Sequence, residues 1–321
     1  MPLAPAPPVS PPTRTPASLE ADPAYADFFG LADSSATDLL LAVGNCQVES
    51  VRQLLDGAPA GLRSVRVPPV FELAPQHVSR LHRLLARTAV LVAQPVRAGY
   101  RGLDLGTDAL TSALPPGSSV VRVPPVRWSG MHPWHAVHHP EGTPDPPLVA
   151  YHDLRVLAGF LRGTGVAHVD ERSLQTAVPV IARTSQQELA RRRRAFGTVD
   201  VGDAFDRPGP DHVRTVNHPG NPVLALLASR VAEEVSAHGG RALGAVAPQR
   251  PLLDSVLAPV DPVVADHWDV PARRDWVVDG VVLAEEQVHE THLRWYAEHP
   301  EVAETLARRE QDRMRLLGLV A

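Results

Sequence analysis

The chain has 321 residues, enough for a substantial hydrophobic core, and its 44% apolar and 21% charged content is that of an ordinary globular protein. Thirty-one Lys and Arg against 36 Asp and Glu give a net charge of −5, without the basic excess that marks a nucleic-acid binder. A single cysteine, Cys46, excludes an intrachain disulfide and a thiolate zinc site.

Residues 1–18 (MPLAPAPPVSPPTRTPAS) are Pro-rich and read as a disordered tail. They lack the basic start and apolar core of a signal peptide, and no apolar run approaches the roughly 20 residues of a membrane span. The expectation is a cytoplasmic protein whose residues 19–321 form a single α/β catalytic domain. Within it, 37–135 would be a βα core, and 150–321 a mainly helical part that completes the site.

Residues 20–34 fit a short helix. Then a rhythm begins. DLLLAVG (38–44) reads as a buried strand and QVESVRQLLDG (47–57) as a helix closed by Gly57. LRSVRVPPVFEL (62–73) reads as a strand. PQHVSRLHRLLART (75–88) reads as a helix with Val78, Leu81, Leu84 and Leu85 on one face. AVLVAQPV (89–96) is a β-branched strand, 106–117 a short helix and turn, and SSVVRVPPVRWSG (118–130) another strand. Strands alternating with helices imply right-handed crossovers. The fold class is therefore α/β: a mostly parallel sheet of four to five strands with flanking helices, and a helical C-terminal half.

SVRVPPV at 64–70 echoes VVRVPPV at 120–126. Pro donates nothing to a sheet ladder, so each Pro-Pro marks a strand's carboxyl end, and both ends fall at the same edge of the sheet. Shared strand-ending chemistry explains the echo better than duplication.

Beyond residue 150 the patterns are helical: 151–165, then 173–197 with an interruption near Pro179, then 221–240 with Pro222 at its start, then 285–319 broken at Pro300. The region 241–280 reads as loop-rich.

Ligands and catalysts of open parallel sheets gather at the carboxyl ends of strands. Cys46 sits where the first strand turns, through Gly44, into a helix. Free amides and the helix dipole there favour an anion and lower a thiol's pKa, so Cys46 is a candidate nucleophile; inert burial is the alternative. Asn45 and Gln47 either cap the helix or donate to a substrate carbonyl or oxyanion. In TVNHPGNP (215–222), Asn217 and His218 precede a helix, and His218 is the natural general-base partner for a lone cysteine. Gln94 ends the third strand on the same edge as Cys46, either in the cleft or in a surface turn.

Gly44-Asn45-Cys46-Gln47 after strand one, Gln94 after a later strand, Pro124-Pro125 followed by Gly130 and Pro133, and Asn217-His218-Pro219 before a helix together resemble the WcbI-type polysaccharide biosynthesis proteins. The resemblance covers roughly residues 37–270. It implies a Rossmann-like or SGNH-like α/β fold, an acyl-coenzyme A donor and a sugar hydroxyl acceptor. By that likeness Cys46 and His218 are the active-site pair, and Gly44, Asn45, Gln47, Gln94 and Asn217 line the substrate and oxyanion pocket. Two departures are the Pro-rich tail and the histidines after Met131.

Acyl transfer has two routes with these parts. A Cys46 thiolate activated by His218 attacks the thioester, or His218 deprotonates the acceptor hydroxyl directly. The expected function is an O-acetyltransferase acting on a glycan precursor or secondary metabolite, with acetyl-coenzyme A as donor and no metal. The rivals are an SGNH-like esterase or thioesterase, and a non-catalytic protein that binds coenzyme A or another anion. The acceptor, the acyl chain and the oligomeric state stay open.

Two clusters stand outside this scheme. His132, His135, His138 and His139 lie in a Pro-bounded loop without an acidic ligand pattern, so they read as loop rather than metal site. His289 and His292 are spaced i, i+3, unlike the i, i+4 of zinc peptidases, and read as a solvated helix face. Arg191–Arg194 point around more than a full helical turn, so at most one or two can meet one ligand.

Overall fold

The computed structural model describes residues 15–30, 38–55, 62–140, 142–239 and 242–320. The N-terminal segment carries α1 (Pro16–Glu20) and α2 (Ala26–Phe29). Most of the expected tail, 1–14, lies outside the described residues. Of its last positions, Thr15 caps α1 and 16–18 open that helix.

The βα core follows as β1 (Asp38–Val43), α3 (Cys46–Leu55), β2 (Leu62–Arg66), α4 (Pro75–Leu85), β3 (Thr88–Ala93), α5 (Thr107–Ser112) and β4 (Ser119–Arg122). The four strands form one parallel sheet in the order β2-β1-β3-β4. All six residues of β3 and five of six in β1 are buried, as in a sheet covered on both faces. Alternation along the strands builds two cores. Leu39, Leu41, Val43, Leu91 and Ala93 pack with Leu81 and Leu85 of α4 and with Tyr25 and Phe28. Leu40, Ala42, Val90 and Val92 face the other way, onto Val48, Val51 and Leu55 of α3 and the C-terminal helices. The helix end expected at Gly57 lies outside the described residues.

The second half adds short β5 (His135–Ala136) and β6 (His152–Asp153), then α6 (Leu154–Arg162) and α7 (Glu171–Phe196). After these come β7 (Val213–Thr215), β8 (His218–Pro219), α8 (Asn221–Gly239), β9 (Val256–Leu257), α9 (Pro262–Trp268), β10 (Trp276–Val278), β11 (Val281–Leu283), α10 (Glu285–Glu298), α11 (Pro300–Arg309) and α12 (Gln311–Leu316). Two readings change. Pro179 lies inside α7, which runs on through 26 residues rather than breaking there. The loop-rich region holds α9 and two strands of an antiparallel sheet, β11-β10-β9. No helix among the described residues is long and apolar enough to cross a membrane.

The strand order positions the site. From β1 the chain crosses to β2 on one side and then to β3 and β4 on the other, so the order reverses between β1 and β3. That reversal opens a crevice beyond their carboxyl ends. Val43 pairs with Ala93, so Gly44 and Gln94 leave the sheet at the same level.

Candidate active site at the switch between β1 and β3

Gly44 turns the chain from β1 toward α3. A Cβ there would stand 2.5 Å from Gln94 Oε1, so only glycine lets the two strand ends close up. Gln94 Oε1 accepts from the Asn45 amide at 2.8 Å, and the Gln94 amide donates to the Val43 carbonyl at 2.9 Å. Asn45 Oδ1 accepts from the Gln47 amide at 2.9 Å, an N-cap contact that opens α3.

Gln47 is 2% exposed and its amide is fully engaged. Its Nε2 donates to the Val126 carbonyl at 2.9 Å and to the Asn217 carbonyl at 2.7 Å, and its Oε1 accepts from the Val126 amide at 2.8 Å. One side chain thus ties the segment after β4 and the segment before His218 to the start of α3. Having no hydrogen left to donate, Gln47 holds the crevice together and does not serve as an oxyanion donor.

His218 arrives on the β7–β8 hairpin. A Cβ on Gly220 would lie 1.7 Å from the Asp211 carbonyl oxygen, so glycine permits this tight return. The His218 amide donates to Thr215 Oγ1 at 3.1 Å. Tyr151 Oη donates to Asn217 Oδ1 at 2.9 Å and lies 2.9 Å from Thr215 Oγ1, while its ring meets the His218 ring edge-on at 6.3 Å. Cys46 Sγ lies 3.9 Å from His218 Nε2.

Burial pushes the Cys46 thiol up to about 11, although the Cys46 and Gln47 amides act in the opposite direction. This reverses the expectation of a lowered thiol: α3 supplies the favourable dipole, but the loss of water outweighs it. Burial, followed by the charge of Arg214, lowers His218 to about 4. The resting pair is therefore a neutral thiol beside a neutral imidazole. With the thiol proton directed at Nε2, the ring proton sits on Nδ1, which is buried and has no partner among the described residues.

Three amides around the pair share one pattern. The carbonyl oxygens of Asn45, Gln94 and Asn217 are each held by a hydrogen bond. Their amino groups make none among the described residues, and Gln94 Nε2 is buried in that state. Tyr151 and Thr215 escaped the sequence reading. No sequence signal singled them out, because Thr215 lies between Arg214 and Val216 in a polar stretch and Tyr151 directly precedes His152 and Asp153.

Beside Cys46 opens a cleft of about 170 Å³. Ser50 and Gln53 continue the α3 wall, and Arg66, Arg250 and Tyr25 face it. The Arg66 guanidinium lies 4.8 Å from the Tyr25 ring centre, and Arg250 Nη2 donates to Gln53 Oε1 at 3.1 Å.

Four of the candidate histidines outside the site are buried, whereas His139 of the same loop is exposed. His132 and His135 are each 1% exposed, His289 is 8% and His292 is fully buried, so the helix-face reading of the last two is wrong. His292 Nε2 meets the Pro147 carbonyl at 3.1 Å, and His289 Nε2 meets Asp153 Oδ2 at 3.2 Å. Asp153, Glu285 and His289 bring potential metal-ligand atoms within 4.8 Å of one another. Arg155 Nη2 stands among them, 2.6 Å from both carboxylates, so a guanidinium already supplies the cation. Arg155 also lies 4.0 Å over the Trp134 ring, and the pairing holds Asp153 well below the usual carboxylate range against the cost of its burial.

The family model described as polysaccharide biosynthesis enzyme WcbI matches residues 39–240. No curated protein sequence matches the chain. A solved structure of WcbI, described as a novel polysaccharide biosynthesis enzyme in its native form without a disulfide bond between coenzyme A and a cysteine, superposes with a TM-score of 0.73. It is 19% identical and aligns over 89% of this chain and 99% of that one, which establishes a shared fold. With the model spanning well over half of the sequence, from β1 through α8, the chain belongs to the WcbI family of polysaccharide biosynthesis enzymes.

Proposed function

We propose that this enzyme moves an acyl group, acetyl in the simplest case, from coenzyme A to a hydroxyl of a glycan precursor, with Cys46 as nucleophile and His218 as base. The observation that carries the reading is the 3.9 Å contact between Cys46 Sγ and His218 Nε2 at the strand switch. His218 Nε2 takes the thiol proton as Sγ bonds to the thioester carbonyl carbon. The tetrahedral intermediate then breaks its bond to the coenzyme A sulfur, which leaves with that proton. In the second half the acceptor oxygen attacks the acyl-Cys46 carbonyl and gives its proton to His218. The Cys46 sulfur departs and is reprotonated.

The free amino groups of Asn45, Gln94 and Asn217 suit the developing oxyanion, since donors already fixed by their own carbonyls need no reorganisation. Arg66, Arg250 and Tyr25 suit the phosphates and base of a nucleotide-bearing donor. The solved WcbI structure, whose description mentions coenzyme A, supports that choice of donor.

The raised thiol favours a second reading, direct attack by the acceptor with His218 as base and Cys46 as pocket wall. Incubation with labelled acetyl-coenzyme A and a panel of sugar nucleotides and oligosaccharides separates the two. The covalent reading expects label in a glycan with the parent protein and loss of transfer in both Cys46→Ala and His218→Ala. Transfer retained by Cys46→Ala and lost in His218→Ala supports direct attack. Retention in both removes the pair from the chemistry, and release of free acetate without an acceptor identifies a hydrolase.

A further inference from the structure

Two arginines among the described residues are buried to nine-tenths or more, Arg52 at 8% exposed and Arg214 at 9%. Arg52 is paired, with Glu49 at 2.7 Å, and the buried carboxylate of Asp153 is paired with Arg155 at 2.6 Å. Arg214 has no such partner. Its side chain makes one bond, from Nε to the Leu252 carbonyl at 2.8 Å, and its Nη1 and Nη2 reach no acceptor or carboxylate among the described residues. A guanidinium held out of water without a counter-ion is costly. Anchoring the Leu252 carbonyl needs only one donor, so the anchor does not account for the charge.

The backbone around Arg214 is specialised. Val213 pairs with Pro219 and Thr215 with His218, so two steps along β7 match one along β8, and Arg214 is the extra residue between them. Bulges of this kind re-aim the side chain they carry and recur beside active sites. The Arg214 carbonyl accepts from the Ala258 amide at 2.9 Å, which fixes the bulge in place. Arg214 thus belongs to the hairpin that carries His218. Its link to the crevice is Leu252, which lines the cleft beside Cys46 and whose amide donates to Asn221 Oδ1 at 2.9 Å. The positive charge is felt at the base: after burial, it is the second cause that lowers His218.

We propose that Arg214 binds a phosphoryl group of the acceptor on the His218 side of the crevice. Its two unoccupied Nη groups form the planar fork that matches a pair of phosphate oxygens, and an anion there supplies the missing counter-ion. The donor's phosphates have Arg66 and Arg250 in the Cys46 cleft, which Arg214 does not itself line. The acceptor must bring its hydroxyl to His218, and Arg214 shares that hairpin. The acceptor is therefore a sugar phosphate or a nucleotide-linked sugar rather than a neutral oligosaccharide. The anion site rests on the burial of Arg214, and only its assignment to an acceptor rests on the acyl-transfer reading.

Thermal unfolding of the full chain in rising inorganic phosphate, with sodium chloride holding the ionic strength constant, reads the site without any transfer reaction. The midpoint of the parent rises and the rise saturates. Arg214→Gln keeps a donor for the Leu252 carbonyl and removes the charge. It is expected to fold with the parent's midpoint in phosphate-free buffer and to weaken the phosphate Kd about tenfold or more. Arg214→Met, which removes the donor as well, gives the same loss, so two variants of different local bonding keep the comparison independent of the fold. No saturable response in the parent, or an equal response in the variants, overturns the proposal. Calorimetry then assigns the bearer of the phosphate. Weaker binding of uridine diphosphate glucose by Arg214→Gln, with coenzyme A unchanged, is expected, and a loss of coenzyme A affinity as great or greater overturns the acceptor assignment. Neither measurement needs turnover, so a failure of acyl transfer leaves both results intact.

Discussion

Cys46 Sγ and His218 Nε2 meet at 3.9 Å across 172 positions of sequence, and both groups are neutral when they do. Neutrality is the consequence of burial. A thiolate–imidazolium pair would place two charges where water is scarce, and the first-turn amides of α3 do not compensate for it. On the proposed mechanism, charge forms on the pair during reaction rather than being stored at rest.

Alkylation of Cys46 reads this directly. With the thiol at about 11, the rate of modification by iodoacetamide climbs about tenfold per pH unit from pH 7 to 10, with no plateau in between. A plateau near neutral pH would mean a stabilised thiolate and a different resting state.

Gly44→Ala forces a methyl group against Gln94 Oε1, 2.5 Å from the ideal Cβ position. Gln94 must shift, and the Asn45 amide loses its acceptor. The expected cost is about 1–3 kcal/mol in urea unfolding, with weaker coenzyme A binding by calorimetry. A variant of parental stability and affinity would show that the close approach is not required.

Gln47→Ala strands one amide and two carbonyls in the interior. Each orphaned group costs about 1–3 kcal/mol, so this substitution destabilises more than Gly44→Ala does. Gln47→Glu sets a buried acid against the Val126 and Asn217 carbonyl oxygens, and is expected to destabilise at least as much as Gln47→Ala.

Acid stability follows from histidines buried in neutral form. His132, His218 and His292 are lowered to about 4 and His152 to about 3, each chiefly by burial. Between the unfolded value near 6.5 and these folded values, the unfolded chain binds more protons. Stability is therefore complete above pH 6.5 and declines as pH falls toward 4, by up to about 2 kcal/mol per histidine at pH 5. Thermal midpoints recorded from pH 7.5 to 4.5 check this, and a flat profile would contradict it.

Much of this was legible in the sequence because it rests on short-range patterns. The apolar runs of β1 and β3, the helical spacing of Leu81, Leu84 and Leu85, and the Pro-Pro pairs after β2 and β4 all act locally. The parallel order placed Cys46 and Gln94 at one edge, as the rhythm implied. What stayed hidden depends on distant partners. His289 and His292 carry the signature of a solvated face, and only packing against Asp153 and the Pro147 carbonyl buries them. Gln47 looked like a donor to substrate, and the backbone at Val126 and Asn217 claims it instead. The thiol's pKa failed for the same reason, since the dipole is written in the local chain and the burial is not.

Intact-protein mass spectrometry after mixing with acetyl-coenzyme A, with no acceptor present, tests the covalent reading most directly. The account predicts a mass gain of one acetyl group, mapped to Cys46 after rapid acid quench, absent from Cys46→Ala and discharged when the acceptor is added. An unmodified Cys46 in protein that still transfers acetyl to a glycan would contradict it.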